Sequence, residues 1–179
     1  HEVENDIYDI ELTPNRGDCL SLNGIARDLN IFYGLSDHLE IFEEDIQELD
    51  MNLKNLSKDD CPRISFLEIE VQDTDLKYEP FIEEYFEKQN VNKTNFFVDI
   101  ANYLSYELGQ PLHCYDREKI NLNFTFEKKE CNEYFNTLLE QRIKLSGKNC
   151  VFLEENKIIN LAGIMGGKTT SCNEKTCKA

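Results

Sequence analysis

No apolar run in these 179 residues is long enough to cross a membrane, and no stretch has the build of a secretory signal peptide. Cations are scarce. Nineteen Lys and Arg stand against 35 Asp and Glu, for a net charge of −16. Most of the excess lies between residues 35 and 90, which hold 17 carboxylates and 5 cations. Binding along duplex nucleic acid needs clustered Lys and Arg to displace counterions, and no such face is visible. Any contact with nucleic acid must be local, or shared with another chain. Cysteine is present but not as a framework: Cys19, Cys61, Cys114, Cys131, Cys150, Cys172 and Cys177 are odd in number and scattered. A reducing cytoplasm is the simplest reading, and the sequons at Asn55, Asn92 and Asn123 then carry no meaning. Cys172 and Cys177 lack a clear second pair of ligands, so no metal site is expected. Internal repeats, low-complexity tracts and a βαβ rhythm are also missing. With no initiating Met and no closing element, the chain reads as a piece of something longer.

What is present is a mixed pattern. Ile7 to Leu12 alternates loosely, as a strand does, and Thr13-Pro-Asn-Arg-Gly-Asp18 is a turn cluster. Leu22, Ile25, Ala26, Leu29 and Phe32 follow helical spacing, with Asp18 or Ser21 as cap and Gly34 as stop. Residues 37–60 read as an acidic linker with some short structure. Ile64 to Val71 suits a strand. Pro80 opens a helix running to about Asn90, with Phe81, Ile82, Tyr85 and Phe86 as its apolar stripe. A second helix spans about Asn95 to Leu108, and Pro111 makes Gln110 to Asp116 a loop. Leu122, Phe124 and Phe126 alternate. Thr137–Leu139, Arg142–Leu145, Cys150–Leu153 and Lys157–Leu161 read as short strands between polar turns. The expected class is α+β, with helices packed on a mainly antiparallel sheet.

One stretch invites a nucleotide reading. Ala162 to Thr169, A-G-I-M-G-G-K-T, fits a relaxed phosphate-loop spelling. Such a loop must open a helix whose amides hold the phosphates. The sequence after Thr169 is a turn or cap, not a helix, so this reading fails. Gly163, Gly166 and Gly167 then serve either a tight sheet corner or a close approach of backbone to a ligand.

Three motifs in order carry a resemblance. They are Glu11-Leu-Thr-Pro-Asn-Arg-Gly-Asp-Cys-Leu-Ser21 with Gly24-Ile-Ala-Arg-Asp28; Val98-Asp-Ile-Ala-Asn-Tyr103 with Glu107-Leu-Gly-Gln-Pro-Leu-His-Cys-Tyr-Asp116; and Leu161-Ala-Gly-Ile-Met-Gly-Gly167. Together they resemble the β subunits of bacterial phenylalanyl-tRNA synthetases, over nearly the whole chain but only the middle of that long subunit. The resemblance implies that residues 1–36 end a small structural domain, a strand–helix remnant. It implies that 37–60 are a linker and that 61–179 are most of an editing domain, cut short on its C-terminal side. Such domains hydrolyse tyrosine wrongly esterified to tRNA(Phe). The chemistry is well motivated, because an apolar synthetic pocket cannot reject one added hydroxyl. A second pocket that hydrogen-bonds the hydroxyl can select for it.

By position, the resemblance makes His113 the editing-site histidine, Asn102 a pocket residue, and Ala162 and Gly163 the small pocket wall. Pro111 holds the loop that presents His113. It implies no cofactor in this segment. ATP and magnesium serve the whole enzyme, on a partner α subunit in a heterotetramer of two α and two β chains. The other partner is the 3′ end of tRNA(Phe).

Some positions depart from the family pattern. Ala101 stands where threonine is usual. Asn92 replaces a common arginine and leaves only Lys93 as a cation. Leu139-Glu140-Gln141 lacks the glycine of an L-D-G turn, and the family's pocket glutamate is expected beyond Ala179. The alternatives are therefore a structural or tRNA-positioning module with a degenerate site, and a free-standing hydrolase acting in trans. No Ser-His-Asp or Cys-His arrangement suggests covalent catalysis. His113 is expected to position the ester or a water rather than act as a strong base. Asp116 is read as a cap, Asp99 as a buried hydrogen-bonding group, and Asn15 and Arg16 as a turn.

Overall fold

Helices form where the periodicity places them. The computed structural model describes residues 3–4, 7–36, 46–74 and 76–179. The element order is β1 (Val3–Glu4), β2 (Ile7–Tyr8), α1 (Leu22–Tyr33), β3 (Asn52–Asn55), α2 (Pro80–Lys88) and α3 (Phe96–Leu108). Then follow β4 (Asn123–Asn136), β5 (Arg142–Glu154), β6 (Lys157–Leu161) and β7 (Met165–Gly166). This is the mixed α+β class expected. The chain divides into two units. The first gathers residues 1–45, 76–94 and 99–112; the second gathers 46–75, 95–98 and 113–179. Residues 37–45 of the expected linker lie outside the described residues.

In the first unit, β1 and β2 make a minimal antiparallel pair, shorter than the strand expected over 7–12. Ser21 rather than Asp18 caps α1, its hydroxyl accepting from the Gly24 amide at 3.0 Å. Gly34 closes the helix in the left-handed region at φ 67°. Arg16 and Arg27 pair with Asp18 and Asp28 and tie the preceding turn to α1. The helical rhythm does not become burial along α1. Leu22, Leu29 and Phe32 are exposed, and Gly24 is the residue of α1 that is buried. Pro80 opens α2 from its first turn. Ile82 and Phe86 pack with Tyr103 of α3, flanked by Tyr78, Tyr85, Ile100 and Leu104. Phe81, expected in this stripe, is 55% exposed. Asp99 is buried and accepts from the Tyr78 hydroxyl and the Thr94 amide, both at 2.8 Å, which is the structural role expected of it.

The second unit is built on a five-stranded sheet ordered β3-β4-β5-β6-β7, antiparallel except for the parallel pair β3–β4. The linker thus contains a sheet strand. Three expectations need correction: the strand at 64–71, the separate strands at 142–145 and 150–153, and the strand at 137–139. The stretch 64–71 forms no strand. It makes one bridge, Glu70 to Lys178, with the Ile69 and Ala179 amides exchanging bonds, because its partner is an irregular terminal segment. The short strands expected at 142–145 and 150–153 are one strand, and β4 and β5 run as a hairpin of 13 unbroken pairs. Thr137–Leu139 is its turn, with Glu140 at φ 62°.

Alternation along this hairpin serves two cores. Side chains two apart share a face. Phe124 and Phe152 lie on one face and pack with Tyr115 and Ile159. Cys131, Phe135, Leu145, Val151 and Leu153 lie on the other and pack with Leu161. A register shift between Phe152 and Leu153 leaves Ile159 as the extra residue of β6. That bulge turns Ile159 to the opposite face from Leu161.

Candidate functional site

His113 stands just beyond Pro111, in a segment without helix or ladder, as the proline predicts. The segment is pinned two residues later. Tyr115 bridges Ser171, and the Asp116 amide donates to the Thr170 carbonyl at 3.0 Å. Asp116 is buried and caps the short turn after it, accepting from the Glu118 amide at 3.1 Å and the Thr176 hydroxyl at 2.9 Å. Burial pushes its carboxyl up, but Lys119, Thr176 and the Glu118 amide outweigh this and hold it below the usual range. Asp116 is thus fully engaged as a cap.

Residues 113 and 115 share a side of the extended segment. Their rings meet edge to face, with centroids 4.6 Å apart and planes at 82°. Tyr115 is itself buried against Phe124 at 5.4 Å, and its phenol engages the side chain of Asn160. The His113 ring lies over Gly166. A methyl group built on Gly166 would sit 1.9 Å from Cε1, 2.5 Å from Nε2 and 2.8 Å from Nδ1. Nε2 is buried and, among the described residues, has no hydrogen-bond partner. Desolvation lowers the His113 pKa from 6.5 to about 4. At neutral pH the imidazole is therefore uncharged, able to accept or donate one hydrogen bond but not to supply a cation.

The neighbouring thiol is not a nucleophile. Cys114 donates to the Phe97 carbonyl at 3.2 Å, and burial pushes it up to about 11. Among the described residues, one group is close enough to hold a metal ion: Asp18, Cys19 and Asp28. Both carboxylates already pair with Arg16 and Arg27, which leaves no net anionic site for a cation. Cys172 is buried and Cys177 exposed.

The other sequence-derived residues fall as follows. Asn102, on α3, and Pro111 are exposed and belong to the first unit. Ala162 and Gly163 belong to the second, in the turn between β6 and β7. Gly163 is exposed at φ 70°, and the Ala162 amide donates to the Cys150 carbonyl at 3.0 Å. Residue 168 starts a 3₁₀ turn of three residues, not a helix, which agrees with the failure of the phosphate-loop reading. Lys168 instead pairs with Glu140 at 2.8 Å. Lys93, the cation beside Asn92, pairs with Glu83 and lies 5.4 Å over the Tyr78 ring. Ala101 is buried.

Tyr115 and Gly166 are the residues that sequence reasoning missed. The period-two relation of 113 and 115 was a usable signal for the first. For Gly166 there was only a glycine inside a motif, whose contact depends on tertiary register.

The chain is similar to known proteins over nearly its whole length. The β subunit of phenylalanine–tRNA ligase from Psychrobacter arcticus is 32% identical over 178 residues, which are 97% of this chain and 22% of that protein. The one from Bartonella henselae is 33% identical over 180 residues, with the same shares. The chain thus spans about a fifth of the length of these curated relatives. A crystal structure of an N-terminal fragment of the phenylalanyl-tRNA synthetase β subunit from Pyrococcus horikoshii shares the fold. Its TM-score is 0.50 at 14% identity, covering 92% of this chain and 51% of that one. The B3/4 domain matches residues 61–179, the segment that carries His113 and Gly166, and the chain belongs to that domain family.

Proposed function

We propose that this chain is part of a phenylalanine–tRNA ligase β subunit and that residues 61–179 hydrolyse tyrosine esterified to tRNA(Phe). The observation that carries the reading is the buried, unpartnered Nε2 of His113 at the motif position of the editing histidine. A buried polar atom without a partner costs about 1–3 kcal/mol, which a ligand or bound water would recover. A neutral imidazole suits ester hydrolysis by water. It can hold the attacking water or the ester carbonyl without needing to be charged. Water adds to the carbonyl carbon, the bond to the terminal ribose oxygen breaks, and that oxygen leaves as the hydroxyl. Free tyrosine is the other product. On this reading Ala162 and Gly163, in the same unit as His113, line the amino-acid pocket. The same reading places ATP-dependent activation of phenylalanine on an α partner, in a cytoplasmic complex of two α and two β chains. Among the described residues no helix is long and apolar enough to cross a membrane.

Deacylation of Tyr-tRNA(Phe) by the full-length enzyme tests the proposal. His113→Ala should slow it by about 100-fold, in line with loss of one positioned proton-transfer or hydrogen-bonding group. Unchanged hydrolysis in that variant would reject the site.

A second reading has specific support. Ala101 supplies no hydroxyl, Lys93 is occupied by Glu83 and the Tyr78 ring, and Glu140 holds a left-handed position that suits glycine. A degenerate site would leave a module that only positions tRNA. It predicts normal aminoacylation with Tyr-tRNA(Phe) hydrolysis at background.

A further inference from the structure

Gly166 does not occupy a left-handed conformation; the glycines at positive φ are Gly34, Gly109, Gly147 and Gly163. Any residue could adopt its backbone. What excludes a side chain is the His113 ring, whose Cε1, Nε2 and Nδ1 are the three atoms nearest the missing Cβ. The strand carrying Gly166 is fixed on both sides. Gly166 is in register with Asn160, and its carbonyl accepts from the Leu138 amide at 3.0 Å. The Asn160 side chain also lies beside the Tyr115 phenol, and Tyr115 packs edge to face with the same imidazole. Floor and wall therefore meet at one buried asparagine, which is 4% exposed.

We infer that Gly166 is a positioning residue for His113: its bare Cα is the floor on which the imidazole packs, with Nε2 buried and held in a fixed direction. The catalytic consequence rests on the hydrolytic reading above, but the geometry does not. A methyl at 166 displaces the ring toward solvent. The imidazole then gains hydration and partners, and loses the fixed direction of Nε2.

Three measurements on the full-length enzyme test this. In Gly166→Ala, kcat for Tyr-tRNA(Phe) deacylation should fall about 100-fold with KM little changed, as expected when a reacting group is misplaced by about an ångström. The pH profile of His113 carbethoxylation, followed by mass spectrometry of its peptide, should move its midpoint from about 4 toward 6.5. The loss of thermal stability in Gly166→Ala should disappear when the same change is made in a His113→Ala background, where the methyl has room. Equal destabilisation in both backgrounds, or an unmoved carbethoxylation profile, would overturn the inference. Full deacylation by His113→Ala would reject the hydrolytic reading instead, and the carbethoxylation and stability measurements would still decide the part played by Gly166.

Discussion

Gly163 and Gly166 stand three residues apart in one motif, and they are glycine for different reasons. Gly163 turns the chain between β6 and β7 at φ 70°, on the surface. Its need is torsional, because an L side chain there meets its own backbone. Gly166 lies buried in β7 with ordinary torsions, and its need is for space, because another residue's ring fills the Cβ position. The first requirement is local and can be met by other turn formers. The second is a relation between two distant points of the sequence. Gly167 sharpens the contrast: its missing Cβ would meet the carbonyl oxygen of Ile159 at 2.7 Å, so its neighbour is backbone and cannot be trimmed by substitution.

Variants can break this comparison in order of effect. Gly167→Ala should be the most damaging, by about 3 kcal/mol or more, because overpacking against a ladder carbonyl leaves nothing able to yield. Chemical denaturation measures it, and His113→Ala should give no relief. Acid should be next. The unfolded imidazole of His113 protonates near pH 6.5, but the folded one only near 4. Its contribution is therefore intact above about pH 6.5 and is lost as the pH falls toward 4, by about 3 kcal/mol in all. Denaturation curves at pH 7 and pH 4.5 should show this loss, and His113→Gln should flatten it. If the pH dependence survives in His113→Gln, the burial of the ring is not its source. Gly163→Ala should cost about 1–2 kcal/mol, and Gly163→Asn less, since asparagine visits the left-handed region more readily. The smallest effect belongs to Glu140→Gly. It relieves a left-handed glutamate but gives up an exposed pairing with Lys168, so stability should rise by about 1 kcal/mol or less. A fall would mean that the surface pair matters more than the torsion.

Local chemistry explains which parts were legible from sequence. The three helices carry their signals within a dozen residues: Ser21 and Gly34 around α1, Pro80 at the head of α2, and Gly109 after α3. The long hairpin was read as fragments for a physical reason. Its buried positions change parity, from Phe124 and Phe126 on one face to Cys131 and Phe135 on the other. The polar residues between resemble a turn. β3 does not announce itself, because its partner lies far along the chain, and the stretch read as a strand over 64–71 makes only the bridge at Glu70. At the candidate site, the motif singled out His113, and Pro111 made its loop legible. The floor beneath it was not, because that contact is created by the pairing of β6 with β7 and by the bridge of Tyr115 to Ser171.

The parallel pairing of β3 with β4 also sets a schedule. Asn52 meets Asn123, so the strand emerges long before its partner exists. At roughly 5–20 residues per second of synthesis, the wait is several seconds. The β4–β5 hairpin, by contrast, can zip locally as soon as Glu154 is made. β3 can therefore dock only once residues 123–126 have been made, long after it leaves the ribosome. Charge suits that interval. The acidic stretch around β3 carries like charges that repel other nascent chains while its edge is unpaired.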